Sequence, residues 1–230
     1  MKNTLLAGLP ALNLTLSQQQ ADTLCRFGDL LLEKNKVMNL TAIKTPEGVA
    51  ELHFLDSLAL LNAADFAEKT VVDVGCGAGF PGVPLKIGCP EMHLTLLDSL
   101  GKRMDWLREV LPQLSVEANV VTARAEDYAK EHRESFDLCV SRAVARLNIL
   151  AELCLPLVKV GGRFVAMKGA LTREETEEAK TAIAALGGRV AGFYDYTVAD
   201  AGHSAVVIEK VRPTPPPYPR DFAKIKKKPL

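Results

Sequence analysis

Val71-Val72-Asp73-Val74-Gly75-Cys76-Gly77-Ala78-Gly79-Phe80-Pro81-Gly82 is the stretch on which the fold turns. A short apolar run ends in an acid and then passes into glycines at alternate positions. That is the pattern of a buried strand feeding a loop whose backbone N–H groups meet a ligand with no Cβ in the way. Read from Gly77, the residues Gly77-x-Gly79-x-x-Gly82 match the dinucleotide fingerprint, in which a pyrophosphate caps the next helix. Read from Asp73, the residues Asp73-x-Gly75-x-Gly77-x-Gly79 put a carboxylate at the strand tip, which suits a cationic ligand with an amino group and no phosphate. S-adenosylmethionine is such a ligand, and a nicotinamide cofactor is its competitor.

Downstream, strand and helix patterns alternate. Residues 94–98, 120–122, 136–140 and 163–167 are short apolar runs, each followed by an amphipathic stretch, as in a parallel sheet buried on both faces. Residues 190–198 and 205–208 add two strands joined at Asp200-Ala201-Gly202-His203, and residues 172–186 read as a helix with acids near its start. The expected fold is α/β, Rossmann-like, with a mostly parallel seven-stranded sheet. Upstream, Ser17 and Gln20 form a capping box ahead of Leu24, Phe27, Leu30 and Leu31, and further helices are expected over residues 46–53 and 55–67. The chain divides into a helical cap (1–67), a Rossmann-like domain (68–211) and a basic, proline-rich arm (212–230).

The 28 basic and 28 acidic side chains of the 230 residues cancel, so any nucleic-acid surface must come from local clustering. No run approaches the roughly 18 apolar residues of a membrane span, and the opening ten residues form no signal-like apolar core. The five cysteines include no C-x-x-C pair, which suits small buried hydrophobes in a reducing cytoplasm. With the four histidines they show no metal-ligand spacing, so no metal is expected. From Lys210 onward seven basic side chains stand against Asp221 alone, and six prolines favour an extended chain. Two readings fit this tail: a solvated solubility segment, or a phosphate-binding arm with Tyr218 and Phe222 to stack on bases.

Asp98 closes the second strand 19 residues after Gly79, where it can accept ribose hydroxyls of either cofactor. Arg124-Ala125-Glu126-Asp127 offers an amide and a carboxylate to an adenine, or simply charge at a helix start. These segments occur with Leu97-Asp98-Ser99-Leu100-Gly101-Lys102-Arg103, Ser141-Arg142-Ala143-Val144-Ala145, Met167-Lys168-Gly169 and Lys228-Pro229-Leu230. Together with Asn39-Leu40-Thr41 and His53-Phe54-Leu55-Asp56-Ser57-Leu58 upstream, they resemble the RsmG (GidB) family of small-subunit ribosomal RNA methyltransferases over nearly the full length.

The resemblance implies methyl transfer from S-adenosylmethionine to guanine N7 in the small-subunit (16S) rRNA, as free RNA or in the 30S particle, in the cytoplasm. It implies cofactor contacts from Asp73, Gly75, Gly77, Gly79, Phe80, Asp98, Ala125, Glu126 and Arg142. Arg124, Arg142, Lys168 and Arg220 are the expected RNA contacts, Arg142 also positions the substrate, and Asp56 and Ser57 fall on the cofactor side. Where the family commonly carries an Arg-His pair before the last strand, this chain has Gly202-His203-Ser204, which puts a basic contact there in doubt.

The fourth strand runs into Ser141-Arg142-Ala143, with no Asn/Asp-Pro-Pro-aromatic loop for an exocyclic amine, and Cys139 lies inside the strand. Guanine N7 has an in-plane lone pair and needs no general base. Catalysis would rest on orientation, worth up to about 7–11 kcal/mol in ideal cases. Arg142 either binds guanine O6 or a phosphate, or pairs with a carboxylate of a neighbouring helix. His53 reads as a helix cap or an interface histidine and Trp106 as core. The rival functions are an NAD(P)-dependent oxidoreductase and a non-catalytic RNA-binding factor.

Overall fold

Seven strands form one sheet: β1 (Thr70–Val74), β2 (His93–Asp98), β3 (Asn119–Thr122), β4 (Phe136–Arg142), β5 (Val158–Lys168), β6 (Gly188–Val198) and β7 (Ala201–Lys210). Their order is β3-β2-β1-β4-β5-β7-β6, with β7 antiparallel to both its neighbours and the other pairs parallel. The computed structural model describes residues 1–142, 144–169 and 172–230, so Ala143 of the Ser-Arg-Ala segment lies outside the described residues.

Period-two alternation sorts the side chains of each strand onto two faces. Val71, Leu138, Val140, Val165 and Met167 face one core, which they share with the N-terminal helices, α5 and α6. Val72, Val74, Cys139, Phe164 and Ala166 face the other, with α7, α8, α9 and α10. The N-terminal part holds α1 (Lys2–Gly8), α2 (Gln18–Met38), α3 (Pro46–Val49) and α4 (Asp56–Leu58). Those over the sheet are α5 (Gly82–Gly88), α6 (Gly101–Val110), α7 (Ala125–Glu131), α8 (Leu147–Cys154), α9 (Thr172–Ala185) and α10 (Phe222–Lys227).

Both halves of the Ser17–Gln20 capping box open α2. Phe27 of that helix, fully buried, stacks on Trp106 of α6 at 5.9 Å and meets Phe80 of the glycine loop at 5.5 Å. Aromatic contacts of this kind add about 0.5–1.5 kcal/mol each beyond area burial. They fasten the N-terminal helices to the loop that builds the site.

Three sequence expectations change. The two helices expected over 46–53 and 55–67 are one run that passes through a π-helical stretch, Ala50–Leu55, and ends in a 3-10 turn at Asn62. Beyond it Glu68 adopts φ +58° and Phe66 turns inward. The residues before Ser17, part of the expected helical cap, form α1 and a 3-10 turn whose Leu5, Leu9 and Leu12 enter the core. The β6–β7 turn is Ala199-Asp200, both at positive φ, so Gly202 and His203 lie within β7. The arm is not extended throughout: its prolines leave residues 220–228 free, and α10 forms there with Ile225 buried. Among the described residues, no helix is long and apolar enough to cross a membrane, and no group of three or more His, Cys, Asp or Glu side chains is placed to hold a metal.

Candidate active site

A cavity of about 520 Å³ opens where β1, β2 and β4 end. This is the carboxyl edge of a parallel sheet, where ligands of such folds sit. Gly75, at φ +72°, turns the chain out of β1, and a Cβ on it would run into the Val144 side chain. The Gly77 N–H then donates to Asp98 Oδ2 at 2.9 Å, and the Leu100 N–H donates to Asp98 Oδ1 at 2.9 Å. Asp98 therefore holds both loops, and each oxygen keeps acceptor capacity toward the cavity.

Asp73 lies on the same face of β1 as Val71, beneath the loop and outside the cavity lining. Its Oδ2 accepts the Gly82 N–H at 2.7 Å, an approach that leaves no room for a Cβ at Gly82. Its Oδ1 is buried with no partner among the described residues. Burial pushes the Asp73 pKa up to about 7, against the opposing pull of the Gly82 hydrogen bond and of Arg142. The amide that a pyrophosphate would need at the start of α5 is thus already occupied by a carboxylate, and the dinucleotide reading fails at this point.

On the cap side, Arg142 continues the Leu138-Val140 face of β4 and so meets the N-terminal helices. Its Nη1 donates to Asp56 Oδ2 at 3.0 Å and to the Leu52 carbonyl at 3.1 Å, and its Nη2 donates to His53 Nδ1 at 2.9 Å. The ion pair with a neighbouring helix and a place in the cavity lining are both realised. Asp56 also accepts from Tyr196 Oη at 2.8 Å and lies 3.1 Å from His203 Nδ1. Ser57 donates to the His53 carbonyl, so Asp56 and Ser57 stand behind the cavity wall and not in it. Burial first, then the Arg142 charge, hold the His53 pKa down at about 3. The neutral ring stacks on Phe80 at 4.2 Å.

On the side of β3 and α7, Arg124 Nε pairs with the buried Glu126 at 2.5 Å, and its guanidinium lies 4.5 Å over the ring of Phe222, which α10 brings into the lining. Arg103 also lines the cavity and has no side-chain partner among the described residues.

The structure thus brings Gly75, Gly77, Phe80, Asp98, Arg124, Ala125, Glu126 and Arg142 to one cavity. It does not bring Gly79, Asp73, Lys168 or Arg220 there. Lys168 projects from β5 on the opposite face, donating to the Ala145 carbonyl at 2.6 Å and pairing with Glu175. Arg220 is spent on the fully buried Glu152, which it reaches through Nε at 2.8 Å and Nη2 at 2.6 Å. Thr41, His53 and Arg103 also join the lining without having been read as ligand contacts, although all three lie within the matched segments, and Phe222, one of the two aromatics read as able to stack on bases, lines it too.

S-adenosylmethionine fits this donor set. Asp98 and Glu126 supply acceptors at one end, the unpartnered Asp73 oxygen adds negative potential under the loop, and Arg103 is the uncommitted cation among the described lining residues.

The GidB family model, rRNA small subunit methyltransferase G, matches residues 19–198. A ribosomal RNA small subunit methyltransferase G of Alkaliphilus metalliredigens (strain QYMF) is 46% identical over 97% of this chain and 96% of its own length. That of Alkaliphilus oremlandii (strain OhILAs) is 45% identical over 100% and 99%. A crystal structure of precorrin-6y C5,15-methyltransferase from Geobacter metallireducens GS-15 shares the fold, with TM-score 0.52 and 12% identity over 68% of this chain and 86% of that one. With the glycine loop, the strand order and full-length identity in agreement, the chain belongs to the GidB family of rRNA small subunit methyltransferases G, Rossmann-like enzymes whose cofactor is S-adenosylmethionine.

Proposed function

We propose that the protein methylates N7 of a guanine in small-subunit ribosomal RNA, in the cytoplasm. When bound, S-adenosylmethionine supplies a methyl group on a positively charged sulfur. Gly75, Gly77, Asp98, Ala125, Glu126 and Phe80 hold it, with Asp73 acting through its charge from beneath the loop.

One observation carries the choice of N7: among the described residues, every imidazole and carboxylate lining the cavity is already in a hydrogen bond or ion pair. His53 has both ring nitrogens in hydrogen bonds, Asp98 accepts two amides, and Glu126 is paired with Arg124. A nucleophile that had to lose a proton would find its nearest acceptors already tied to the protein's own donors, whereas guanine N7 needs none. The work left to the chain is orientation and exclusion of water, for which Arg142, pinned over Phe80 at 5.2 Å, is a fixed wall.

The test is transfer of labelled methyl groups to small-subunit RNA or 30S particles lacking the modification, followed by borohydride/aniline cleavage to locate N7-methylguanine. One cleaved guanine is expected. Label in an exocyclic amine, a pyrimidine or protein would refute the reading.

A further inference from the structure

The hydrogens on the cap side of the cavity can be placed from donors and acceptors alone. Arg142 Nη2 has only hydrogens to give, so His53 Nδ1, 2.9 Å away, must present its lone pair. The hydrogen of the neutral ring is therefore on Nε2, where it is donated to Thr41 Oγ1 at 2.8 Å. The Ile43 N–H donates to the same oxygen at 3.1 Å. Both lone pairs of the Thr41 hydroxyl are filled, and its own hydrogen has no acceptor among the described residues. Thr41 is half-buried and lines the cavity beside His53, Phe80 and Arg142. A chain of fixed polarity, Arg142 to His53 to Thr41, thus ends in a hydroxyl that is forced to donate.

The guanine edge that carries N7 shows two acceptors, N7 and O6, whereas adenine shows a donor at position 6. N7 must keep its lone pair for the methyl group, which leaves O6 to be recognised, and only by a donor. We propose that the Thr41 hydroxyl donates to O6 of the target guanine and selects guanine over adenine, with His53 as the positioning residue that fixes its polarity. This rests on the guanine-N7 reading above.

The experiment places 2-aminopurine, which keeps N7 and lacks O6, at the guanine mapped with wild-type enzyme, and compares kcat/KM for both substrates in the full-length wild type, Thr41→Val and Thr41→Ser. Wild type and Thr41→Ser should prefer guanine by roughly 10- to 100-fold, the range a donor left without its acceptor corresponds to. In Thr41→Val the preference should fall below about threefold. Equal losses on both substrates in Thr41→Val would overturn the proposal, as would a comparable loss of S-adenosylhomocysteine affinity, which would turn the hydroxyl toward the cofactor. Nitrogen-15 NMR of wild-type His53 should show a lone-pair nitrogen at Nδ1 and a protonated Nε2, and the opposite tautomer would also overturn it. If wild type forms N7-methylguanine normally in each of these cases, the functional reading survives the failure. If it forms none, both fall.

Discussion

One carboxylate oxygen of Asp73 accepts the Gly82 amide at 2.7 Å while the other is buried with no partner among the described residues. Such an arrangement disfavours the charged form, and Arg142 and Asp98 act on it with opposite signs, Arg142 lowering and Asp98 raising the pKa. A carboxyl group is thereby poised near neutrality directly beneath the glycine loop.

Because the folded pKa, about 7, lies above the ordinary 3.8, the proton is favoured in the folded state. The stability this contributes is fully present below about pH 4 and is lost as the pH rises through about 7. Urea denaturation of wild type and Asp73→Asn across that window should show a difference that changes with this sign. S-adenosylmethionine, which carries net positive charge, should bind more tightly as the pH rises from 6 to 8 and release protons on binding. Calorimetry in buffers of different ionisation enthalpy measures that release, and Asp73→Asn should abolish it.

Asp56 joins three elements: Arg142 of β4, Tyr196 of β6 and His203 of β7. Replacing it by alanine strands Arg142 with a charge that is only 17% exposed. A broken pair of this kind costs about 3–5 kcal/mol. Tyr196→Phe removes a single hydrogen bond to a charged acceptor and should cost about 1.5–3 kcal/mol. Denaturation midpoints in the reverse order would contradict this account of the junction.

Arg220 and the fully buried Glu152 anchor α10, whose Phe222 reaches the cavity. Arg220→Ala should release the arm, seen as faster tryptic cleavage after Lys224, Lys226 and Lys227. It should also weaken S-adenosylhomocysteine binding about 5- to 10-fold, the scale of one lost aromatic contact. Phe222→Ala should reproduce the weaker binding without the faster cleavage. Wild-type affinity in both variants would show that Phe222 contributes nothing to the ligand.

The exposed Lys224, Lys226 and Lys227 flank Phe222 on this same short helix. Changing all three to glutamine should reduce the salt dependence of RNA binding, log K against log salt, by about 2, at about 0.7 per single-strand phosphate contact. An unchanged slope would assign the lysines to solubility alone.

The glycine loop, the strands and the ends of β1 and β2 were legible in the sequence because glycine spacing and apolar runs are local signals. Arg142 and Lys168 show where local signals stop. Both follow an apolar strand, yet Arg142 shares its face with Val140 and meets the cap, whereas Lys168 shares its face with Ala166 and meets α9. Strand parity separates them, but which face looks at the ligand follows only from the sheet order. Arg220 was hidden for another reason: its partner Glu152 is 68 residues away and looks like any helical acid. The leucines of α1 and of the 3-10 turn after it recur at positions 5, 9 and 12, a helical spacing that Pro10 obscures although proline is at home in a first turn.

The cavity takes Thr41 and His53 from before the first strand and Phe222 from after the last. During synthesis the sheet can therefore be complete while its ligand chamber still lacks a wall. A nascent chain would have to expose residue 222 beyond the exit tunnel before that wall could form, so the ligand chamber closes later than the sheet beneath it.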